Sequence, residues 1–225
     1  MIWWHIVLIA VCSYLFGNIS FARIISSKHH KDITKLGSGN PGTTNTIRNF
    51  GVGVGAINLV LDMLKGVIPT LVVLLVFKNL TYTYIAGVSA IVGHVFPVFY
   101  LFKGGKGIAT MLGVFMVVDP LVTTIVLVVF LLVWLVFKYV SVGSFLSVTV
   151  LTVVEGFKAK ALENPDRLII CFILFAIFVL TWWAHRANIK RLIIGKESRV
   201  DLFKSVRKKI KTNTVAKVGE KNEQK

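Results

Sequence analysis

Charged residues are missing from four long stretches of this sequence. Asp, Glu, Lys and Arg are all absent across 21 residues at 2–22, across 24 at 79–102, and across 17 each at 121–137 and 168–184. About 20 predominantly apolar residues are enough for an α-helix to cross a bilayer. The 225-residue chain has too little polar sequence elsewhere to shield so many apolar helices in a soluble domain. We therefore predict an all-α polytopic membrane protein.

Cysteine is almost absent as well. Only Cys12 and Cys171 occur, and both lie inside apolar stretches. This number and placement exclude a disulfide framework and a zinc site built from clustered cysteines. No cluster of potential ligands with metal-binding spacing is visible in the sequence, so we predict no metal site and no cofactor.

The apolar stretches and the breaks between them predict seven membrane helices. Their approximate ranges are 2–25, 52–77, 81–97, 104–118, 120–138, 140–157 and 166–185. The fourth has an apolar part of only 12 residues at 107–118, or about 18 Å of helix, which is short for a core of about 30 Å. It is either a short span, a re-entrant helix or a part of the fifth span. Asp119-Pro120 favours a break, because proline disfavours helical geometry at the residue before it.

Basic residues predict which way the chain crosses the membrane. Residues 185–225 carry 13 of the 26 Lys and Arg residues but only 4 of the 10 Asp and Glu residues. Basic segments that adjoin membrane spans usually lie on the cytoplasmic side. Seven crossings place this segment on the same side as the basic loops near residues 28–48 and 103–107. We therefore predict an outer N-terminus and an inner C-terminus.

The net charge of +16 would also suit a nucleic-acid-binding protein. Because the basic residues cluster beside the predicted spans, contact with anionic lipid is the better explanation, and we predict no nucleic-acid partner. The sequence divides into a seven-helix membrane domain at 1–203 and a basic cytoplasmic tail at 204–225. The composition of the tail predicts that it is disordered.

The stretch GSGNPG at 37–42 matches the dinucleotide-binding pattern G-x-G-x-x-G. That pattern requires a preceding strand in a βαβ unit, whereas here a membrane span and a basic loop come before it. Glycines can nevertheless turn successive N–H groups toward an anion, and a following helix N-terminus favours negative charge. We predict a phosphate-binding loop at the membrane surface, with an ordinary interhelical loop as the alternative. Its candidate residues are Ser38, Gly39, Asn40, Gly42, Thr43, Thr44, Asn45 and Arg48.

Two further segments on the same predicted face carry polar candidates. Residues 93–107 contribute His94, Lys103, Gly104, Gly105 and Lys106, and residues 185–197 contribute His185, Asn188 and Glu197. Ser144 lies at the inner end of the sixth predicted span. Simpler explanations exist for the cations, because interfacial lysines extend toward water and basic helices contact lipid headgroups.

Ionisable residues inside the predicted spans need a separate explanation, because charge is unfavourable in hydrocarbon. Asp62 and Lys65 stand three residues apart in the second span. This spacing puts them on one helical face, so we predict a structural ion pair. Glu155 lies near the outer end of the sixth span, and we predict that it is interfacial.

Three motifs in order resemble the bacterial membrane glycerol-3-phosphate acyltransferases of the acyl-phosphate-dependent type. They are SGNPGTTN at 38–45, the run from 93 to 110 that contains GHVFP and FKGGKG, and HRANIKRLIIGKE at 185–197. Thr43 stands where that family usually has alanine. The resemblance covers nearly the whole chain, with the exception of the basic tail.

The resemblance implies transfer of a fatty acyl group from acyl phosphate to the 1-hydroxyl of sn-glycerol 3-phosphate, with release of phosphate. It places the reaction in phospholipid synthesis at the cytoplasmic face of a bacterial cell membrane. The implied partners are these two substrates, the lipid bilayer and the soluble enzyme that makes acyl phosphate. We expect catalytic roles for Ser38, Lys106, His185 and Asn188, and substrate binding by Gly39, Asn40, Gly42, Thr43, Thr44, Asn45, Arg48, His94, Lys103, Gly104, Gly105, Ser144 and Glu197.

Two alternatives stay open. Acyltransferases that use thioester donors commonly contain His-x-x-x-x-Asp, and none of the five histidines here has Asp five residues later. This absence favours acyl phosphate over a thioester donor without excluding the thioester. A small transporter of a phosphorylated solute is the other alternative, with the short fourth helix as a gate. The general base is open between His94, His185 and a phosphate oxygen of the substrate.

Overall fold

A computed structural model describes residues 2–161 and 166–200 of the chain, and this part contains helices and no strand. The predicted all-α membrane class is confirmed. The predicted tail at 204–225 lies outside the described residues. The α-helices are α1 Trp3–Gly17, α2 Phe21–Lys28, α3 Thr43–Phe50, α4 Val52–Phe77, α5 Leu80–Val95, α6 Ile108–Val118, α7 Pro120–Phe137, α8 Val140–Ala161, α9 Arg167–Ala184 and α10 Arg186–Ile193, and short 3-10 turns lie at Ile33–Lys35 and Val98–Tyr100.

Six segments of the described residues are long and apolar enough to cross a membrane. They are Trp3–Lys28, Val52–Phe77, Leu80–Tyr100, Pro120–Phe137, Val140–Ala161 and Arg167–Ala184. Helix α6 has 11 residues and begins four residues later than predicted, because residues 104–107 form a loop. A seventh crossing and the orientation of the chain remain predictions.

The predicted first helix at about 2–25 is divided into α1 and α2. In the break, the Oδ1 atom of Asn18 accepts the amide hydrogen of Val98. The carbonyl oxygen of Ile19, also in the break, accepts a hydrogen bond from Lys65 Nζ at 2.7 Å. Backbone groups that leave a helix inside a membrane need such partners. These partners lie 80 and 46 residues away in sequence, so the periodicity of the first span could not indicate the break.

Helix α6 packs against α4 at backbone-to-backbone distance. A methyl group added at Gly66 would lie 2.0 Å from the carbonyl oxygen of Thr110, and one added at Gly113 would lie 2.0 Å from the carbonyl oxygen of Met63. Small residues allow this close approach in membrane helix pairs. The contact holds α6, and with it the loop that precedes α6, against α4.

The core lies between α5, α6, α8 and α9. It includes the buried side chains of Ile91, Phe115, Leu151 and Ile177. Many large apolar side chains of α1, α4, α7 and α9 are exposed on the outside of the bundle. In a soluble protein this surface would be unfavourable, but it suits contact with hydrocarbon.

Glu155 corrects one expectation. It is buried rather than interfacial, with 4% of its surface exposed. Its Oε2 accepts a hydrogen bond from the Tyr84 hydroxyl at 3.0 Å, and its Oε1 lies 3.3 Å from Lys158 Nζ. The carboxylate therefore joins α5 to α8 at the end of the bundle away from the glycine loops.

We expect Gly113→Ala to destabilise the protein, because the added methyl group would force α4 and α6 apart. Overpacking of this kind costs about 1–3 kcal/mol, which corresponds to a decrease of about 2–4 °C in unfolding temperature per kcal/mol. Gly156→Ala is the matched control, since no atom lies within 4 Å of the added methyl group. The thermal midpoints of the two variants in detergent test the prediction, and equal midpoints would contradict it.

Candidate active site

The first glycine loop is held together by one buried side chain. Asn45, which is 1% exposed, accepts the Ser38 amide hydrogen at Oδ1 over 3.1 Å. Its Nδ2 donates to the carbonyl oxygens of Ile33 at 3.2 Å and Leu36 at 2.9 Å. Every polar atom of this side chain is therefore occupied by the loop itself. The structure gives Asn45 the task of shaping the loop.

Helix α3 begins where the glycine loop ends. The amides of Thr43 and Thr44 come first in α3 and have no acceptor among the described residues, as expected where a helix starts. By contrast, the amide of Gly39 donates to Leu36 at 2.9 Å and that of Gly42 donates to Asn40 at 2.9 Å. Fewer amides of this loop are open to an anion than its sequence suggested. The Thr43 and Thr44 amides at the start of α3 are still available to bind one.

The second glycine loop folds over His94. The amide of Gly105 donates to the His94 carbonyl oxygen at 3.1 Å. A methyl group at Gly105 would lie 2.1 Å from His94 Nε2, so only glycine fits against the imidazole. His94 Nδ1 lies 2.7 Å from Lys65 Nζ. His94 thus lies between Lys65 and Gly105 and shapes the loop that presents Lys106.

Lys106 follows this loop, and its ammonium group donates to Asn188 Oδ1. Burial lowers the pKa of Lys106 to about 8, and the positive charges of Arg191 and Arg48 contribute, partly opposed by Glu197. Lys106 is therefore mostly protonated near pH 7. An anion at its ammonium group would replace solvation that burial has removed.

Glu197 organises the third segment. Its carboxylate accepts hydrogen bonds from Asn188 Nδ2 at 2.7 Å, Arg191 Nε at 2.8 Å and the Ser141 hydroxyl at 3.0 Å. Burial alone would raise the pKa of Glu197, but these hydrogen bonds outweigh burial and hold the pKa below its ordinary value. The charged carboxylate fixes the Asn188 amide so that its oxygen faces Lys106.

His185 lies at the junction of α9 and α10 and is 3% exposed. Its Nδ1 lies 2.8 Å from the Thr181 carbonyl oxygen. Because a carbonyl can only accept, Nδ1 carries the proton and Nε2 keeps its lone pair. Burial and the charge of Lys106 lower the pKa of His185 to about 4. The imidazole is neutral near pH 7, with an acceptor nitrogen available.

These elements surround one cavity of about 240 Å³. Most of the residues predicted for the site line it, namely Ser38, Asn40, Gly42, Thr43, Thr44, Asn45, Arg48, His94, Lys106, Ser144, His185, Asn188 and Glu197. The remaining lining is largely apolar and includes Leu59, Leu112, Leu127, Phe130, Leu131 and Trp134. The cavity thus combines cations and open amides with a hydrocarbon-like wall.

A second, more open cavity of about 830 Å³ adjoins the first. The remaining predicted residues line it, namely Gly39, Lys103, Gly104 and Gly105. The two cavities share Ser38, Asn40, Lys106, Asn188 and Arg191. Arg23 and Arg186 add positive charge to the second cavity, which gives an anion a polar route to Lys106.

The segment after α10 returns across the first cavity. The carbonyl oxygen of Ser198 accepts from Arg48 Nη2 at 3.2 Å. The carbonyl oxygen of Val200 accepts from Trp134 Nε1 at 2.9 Å, and the Val200 amide donates to the Lys138 carbonyl at 2.8 Å. These contacts join α3 to α7 over the site. They also hold the Arg48 guanidinium, whose pKa is lowered by burial although it stays charged.

A sequence model described as glycerol-3-phosphate acyltransferase matches residues 7–195. The chain belongs to this family. A glycerol-3-phosphate acyltransferase of Halalkalibacterium halodurans is 40% identical over 198 residues, which cover 86% of this chain and 94% of that protein. One from Pseudothermotoga lettingae is 36% identical over 203 residues, which cover 90% and 98% of the two chains.

A solved structure of the same family has a similar fold. It is the crystal structure of PlsY, an integral membrane glycerol 3-phosphate acyltransferase, in its glycerol 3-phosphate form. The similarity has a TM-score of 0.80 at 34% identity and covers 89% of this chain and 98% of that one. The lysophosphatidic acid form of PlsY matches with a TM-score of 0.75 at 33% identity.

The sequence assigned simpler tasks to some residues of this candidate site, or did not single them out. Arg191 looked like a lipid contact of a basic helix, but it lies between the two cavities and is bonded to Glu197. Trp134 and Phe130 of α7 were not among the candidates from the sequence, but both line the first cavity. Only the spacing of Arg191 from Glu197 could have indicated its place, while nothing local marks the two aromatic residues.

We expect Asn45→Ala to loosen the first glycine loop, because it leaves the Ser38 amide and two carbonyl groups without their partner. Unsatisfied buried groups of this kind cost about 1–3 kcal/mol, so peptides covering 33–45 should exchange amide hydrogens about tenfold faster or more. Asn49→Ala is the control, since among the described residues the Asn49 side chain bonds to Asn45 alone and to no other part of the loop. Hydrogen exchange followed by mass spectrometry decides, and equal exchange in both variants would contradict the assignment.

Proposed function

We propose that this protein transfers a fatty acyl group from acyl phosphate to the 1-hydroxyl of sn-glycerol 3-phosphate. The products are 1-acyl-sn-glycerol 3-phosphate and inorganic phosphate. The observation that carries the proposal is the lining of a single cavity. It combines open amides and cations, which suit phosphate, with apolar side chains of α7, which suit an acyl chain. Relatives named glycerol-3-phosphate acyltransferases support the acceptor and the reaction class.

The acyl-phosphate headgroup fits the start of α3. The amides of Thr43 and Thr44 and the Ser38 hydroxyl offer donors, and the helix N-terminus adds a partial positive charge. Lys106 faces the same cavity and neutralises charge on the departing phosphate. The acyl chain lies along Phe130 and the neighbouring apolar residues of α7. The shape of this headgroup site is set by Gly39, Asn40, Gly42, Gly104 and Gly105. Lys103 adds positive charge to it.

Glycerol 3-phosphate fits the opposite part of the polar lining. Arg48 supplies a planar guanidinium for its phosphate, and such groups suit phosphate oxygens well. Ser144 and Asn188 line the cavity as hydrogen-bonding partners for the glycerol hydroxyls. The acceptor nitrogen of His185 receives a hydrogen bond from the attacking hydroxyl. Glu197, His94 and Asn45 act through the neighbours that they hold in place.

The reaction balances without any further reactant. The 1-hydroxyl oxygen of glycerol 3-phosphate forms a bond to the acyl carbonyl carbon, and the bond from that carbon to the phosphate oxygen breaks. The hydroxyl proton ends on the departing phosphate, which leaves as hydrogen phosphate. The protein aligns the two substrates and stabilises charge on the leaving group, which are the effects of orientation and preorganised electrostatics.

Proton transfer favours the substrate over a histidine. His94 has Nδ1 at Lys65 and Nε2 against Gly105, so we assign His94 to holding the second glycine loop. His185 reaches the cavity, but its pKa of about 4 makes it a weak base. A phosphate oxygen, with a pKa of about 6 for its second proton, accepts the proton more readily near pH 7. We therefore assign proton removal to the departing phosphate and orientation of the hydroxyl to His185.

Acyl phosphate rather than an acyl thioester is the donor in this proposal. Three features of the site interact with a phosphate leaving group, namely the α3 amides, Lys106 and the basic second cavity through which phosphate can leave. We place the site at the cytoplasmic face of a bacterial cell membrane. There a soluble acyl-phosphate-forming enzyme can supply the donor and is the protein partner that we propose.

Purified protein in detergent, given palmitoyl phosphate and glycerol 3-phosphate with a chelator, should release phosphate and lysophosphatidate in equal amounts. Lys106→Ala should lower kcat about 100- to 1,000-fold, as loss of one stabilising donor does elsewhere. Ser38→Ala should lower kcat/KM about tenfold or more. Lys160→Ala, an exposed lysine outside both cavities, is the control for loss of charge and should leave the rate unchanged.

Turnover with palmitoyl-CoA but not with palmitoyl phosphate would contradict the donor assignment. Release of phosphate without lipid product would contradict the acceptor. If neither donor reacts while the protein moves a phosphorylated solute across liposomes, the transporter alternative is correct.

The pH dependence of kcat/KM should report Lys106. The functional form is the ammonium ion, and its pKa in the free enzyme is about 8. Raising the pH through this value removes the charge, so kcat/KM should fall about tenfold per pH unit above pH 8. Arg keeps its charge throughout this range, so Lys106→Arg, although slower, should lack the alkaline decrease. A wild-type profile that stays flat from pH 7 to 10 would rule out this role.

A further inference from the structure

Two buried charges inside the membrane have no part in the proposed reaction. Asp62 and Lys65 lie in α4, are 2% and 1% exposed, and form an ion pair with 3.1 Å between Oδ1 and Nζ. The pairing predicted from the sequence is thus present. Ionisable groups at such positions are unfavourable, and where they occur they usually serve a function. The question is what this pair holds.

The pair is the middle of a continuous chain of polar contacts. Toward one side, Asp62 Oδ2 accepts a hydrogen bond from Asn58 Nδ2 at 2.9 Å. Toward the other, Lys65 Nζ lies 2.7 Å from His94 Nδ1. All four side chains are at least nine-tenths buried. The chain therefore crosses the interior of the bundle from one edge of α4 to α5.

Each end of this chain meets one of the two glycine loops. Asn58 Nδ2 also lies 3.2 Å from the hydroxyl oxygen of Thr43, the first residue of α3. At the other end, the His94 imidazole packs against Gly105, and the His94 carbonyl oxygen accepts the Gly105 amide hydrogen. Gly105 directly precedes Lys106. A second set of contacts through Arg23 and Ser26 also joins the loops, but it ends at Lys103 and Ile33 rather than beside Lys106 and at the start of α3.

We propose that Asn58, Asp62 and Lys65 are positioning residues that set the distance between the start of α3 and Lys106. They touch neither substrate in the arrangement proposed above, and the inference rests on that arrangement for its effect on rate. The first loop holds the acyl-phosphate headgroup and the second presents the ammonium group to the same phosphate. Their separation therefore decides whether both act at once. A misplacement of about 1 Å can lower a rate about 100-fold.

Fold stability alone does not explain the pair. Replacing a buried ion pair with apolar residues of similar size is often neutral for stability, whereas removing one partner leaves an unpaired charge. A pair kept only for stability could thus be replaced as a unit without loss of function. A pair that spaces the two loops could not, because the contacts to Asn58 and His94 would be lost together.

The double variant Asp62→Leu/Lys65→Met separates these explanations, since it leaves no unpaired charge. It also removes the contact of Lys65 with the Ile19 carbonyl oxygen, so the thermal midpoint is measured beside the rate. Thr70→Val is the matched control on the same helix, because Thr70 is fully buried and its hydroxyl has no partner among the described residues. Three quantities are measured for both: the thermal midpoint, the amide exchange of peptides covering 36–45 and 103–107, and kcat and KM with palmitoyl phosphate and glycerol 3-phosphate.

We expect the folded double variant to exchange faster at both loops and to lose kcat about 10- to 100-fold. KM for glycerol 3-phosphate should change less than about threefold, because Arg48 and Ser144 lie outside the chain of contacts. Thr70→Val should match the wild type in exchange and kcat. Wild-type kcat and exchange in a folded double variant would overturn the inference, and so would faster exchange at only one of the two loops.

A second variant keeps the test decisive if the double variant does not fold. Asn58→Ala keeps both members of the ion pair and removes the contacts of Asn58 with Thr43 and with Asp62. It should speed exchange at 36–45 alone and lower kcat, and wild-type behaviour in both would overturn the inference. Amide exchange needs no substrate, so it tests the contacts even if the wild-type protein fails to use acyl phosphate. Failure of the proposed function therefore appears in the wild type, and failure of this inference appears only in the variants.

Discussion

The need to satisfy every polar group inside a low-dielectric environment governs this structure. Where α1 ends early, the freed carbonyl of Ile19 receives Lys65, and the ammonium group of Lys65 is in turn balanced by Asp62. In water neither group would need a protein partner. In hydrocarbon each must have one, and Lys65 of α4 reaches both the break after α1 and His94 of α5. One requirement thus fixes the relative places of α1, α4 and α5, and the two glycine loops take their places from them.

Length and apolar composition were enough to predict the helices of the bundle. Apolar stretches and the breaks between them located α4, α5, α7, α8 and α9 to within a few residues, because crossing hydrocarbon demands a minimum length of apolar helix whatever the neighbours are. The division of the first helix was missed, since it depends on a contact between Asn18 and the distant Val98. Burial of Glu155 was missed for the same reason. Its partner Tyr84 is on another helix, and no local pattern indicates that pairing.

The identity of the site residues was easier to predict than their tasks. Glycines, hydroxyls and cations before a helix indicate phosphate from chemistry alone, and the structure brings them to two adjoining cavities. Asn45 and Glu197 have the same chemistry as the residues around them, yet their hydrogen bonds go to protein groups. Which polar atoms remain available is decided only after the backbone has folded, so a sequence can nominate a site residue without showing what it touches.

The aromatic and aliphatic wall that α7 contributes to the first cavity affects how molecules with acyl chains can reach it. Side chains of this helix line the cavity on one side, and many others are exposed on the outside of the bundle. Transferring an acyl chain from lipid to water costs about 0.8 kcal/mol for each CH₂ group. In the proposed reaction, an acyl chain held against this wall would be spared that transfer. Molecules with such chains can arrive and depart by sideways diffusion within one leaflet while only their headgroups exchange with the aqueous side.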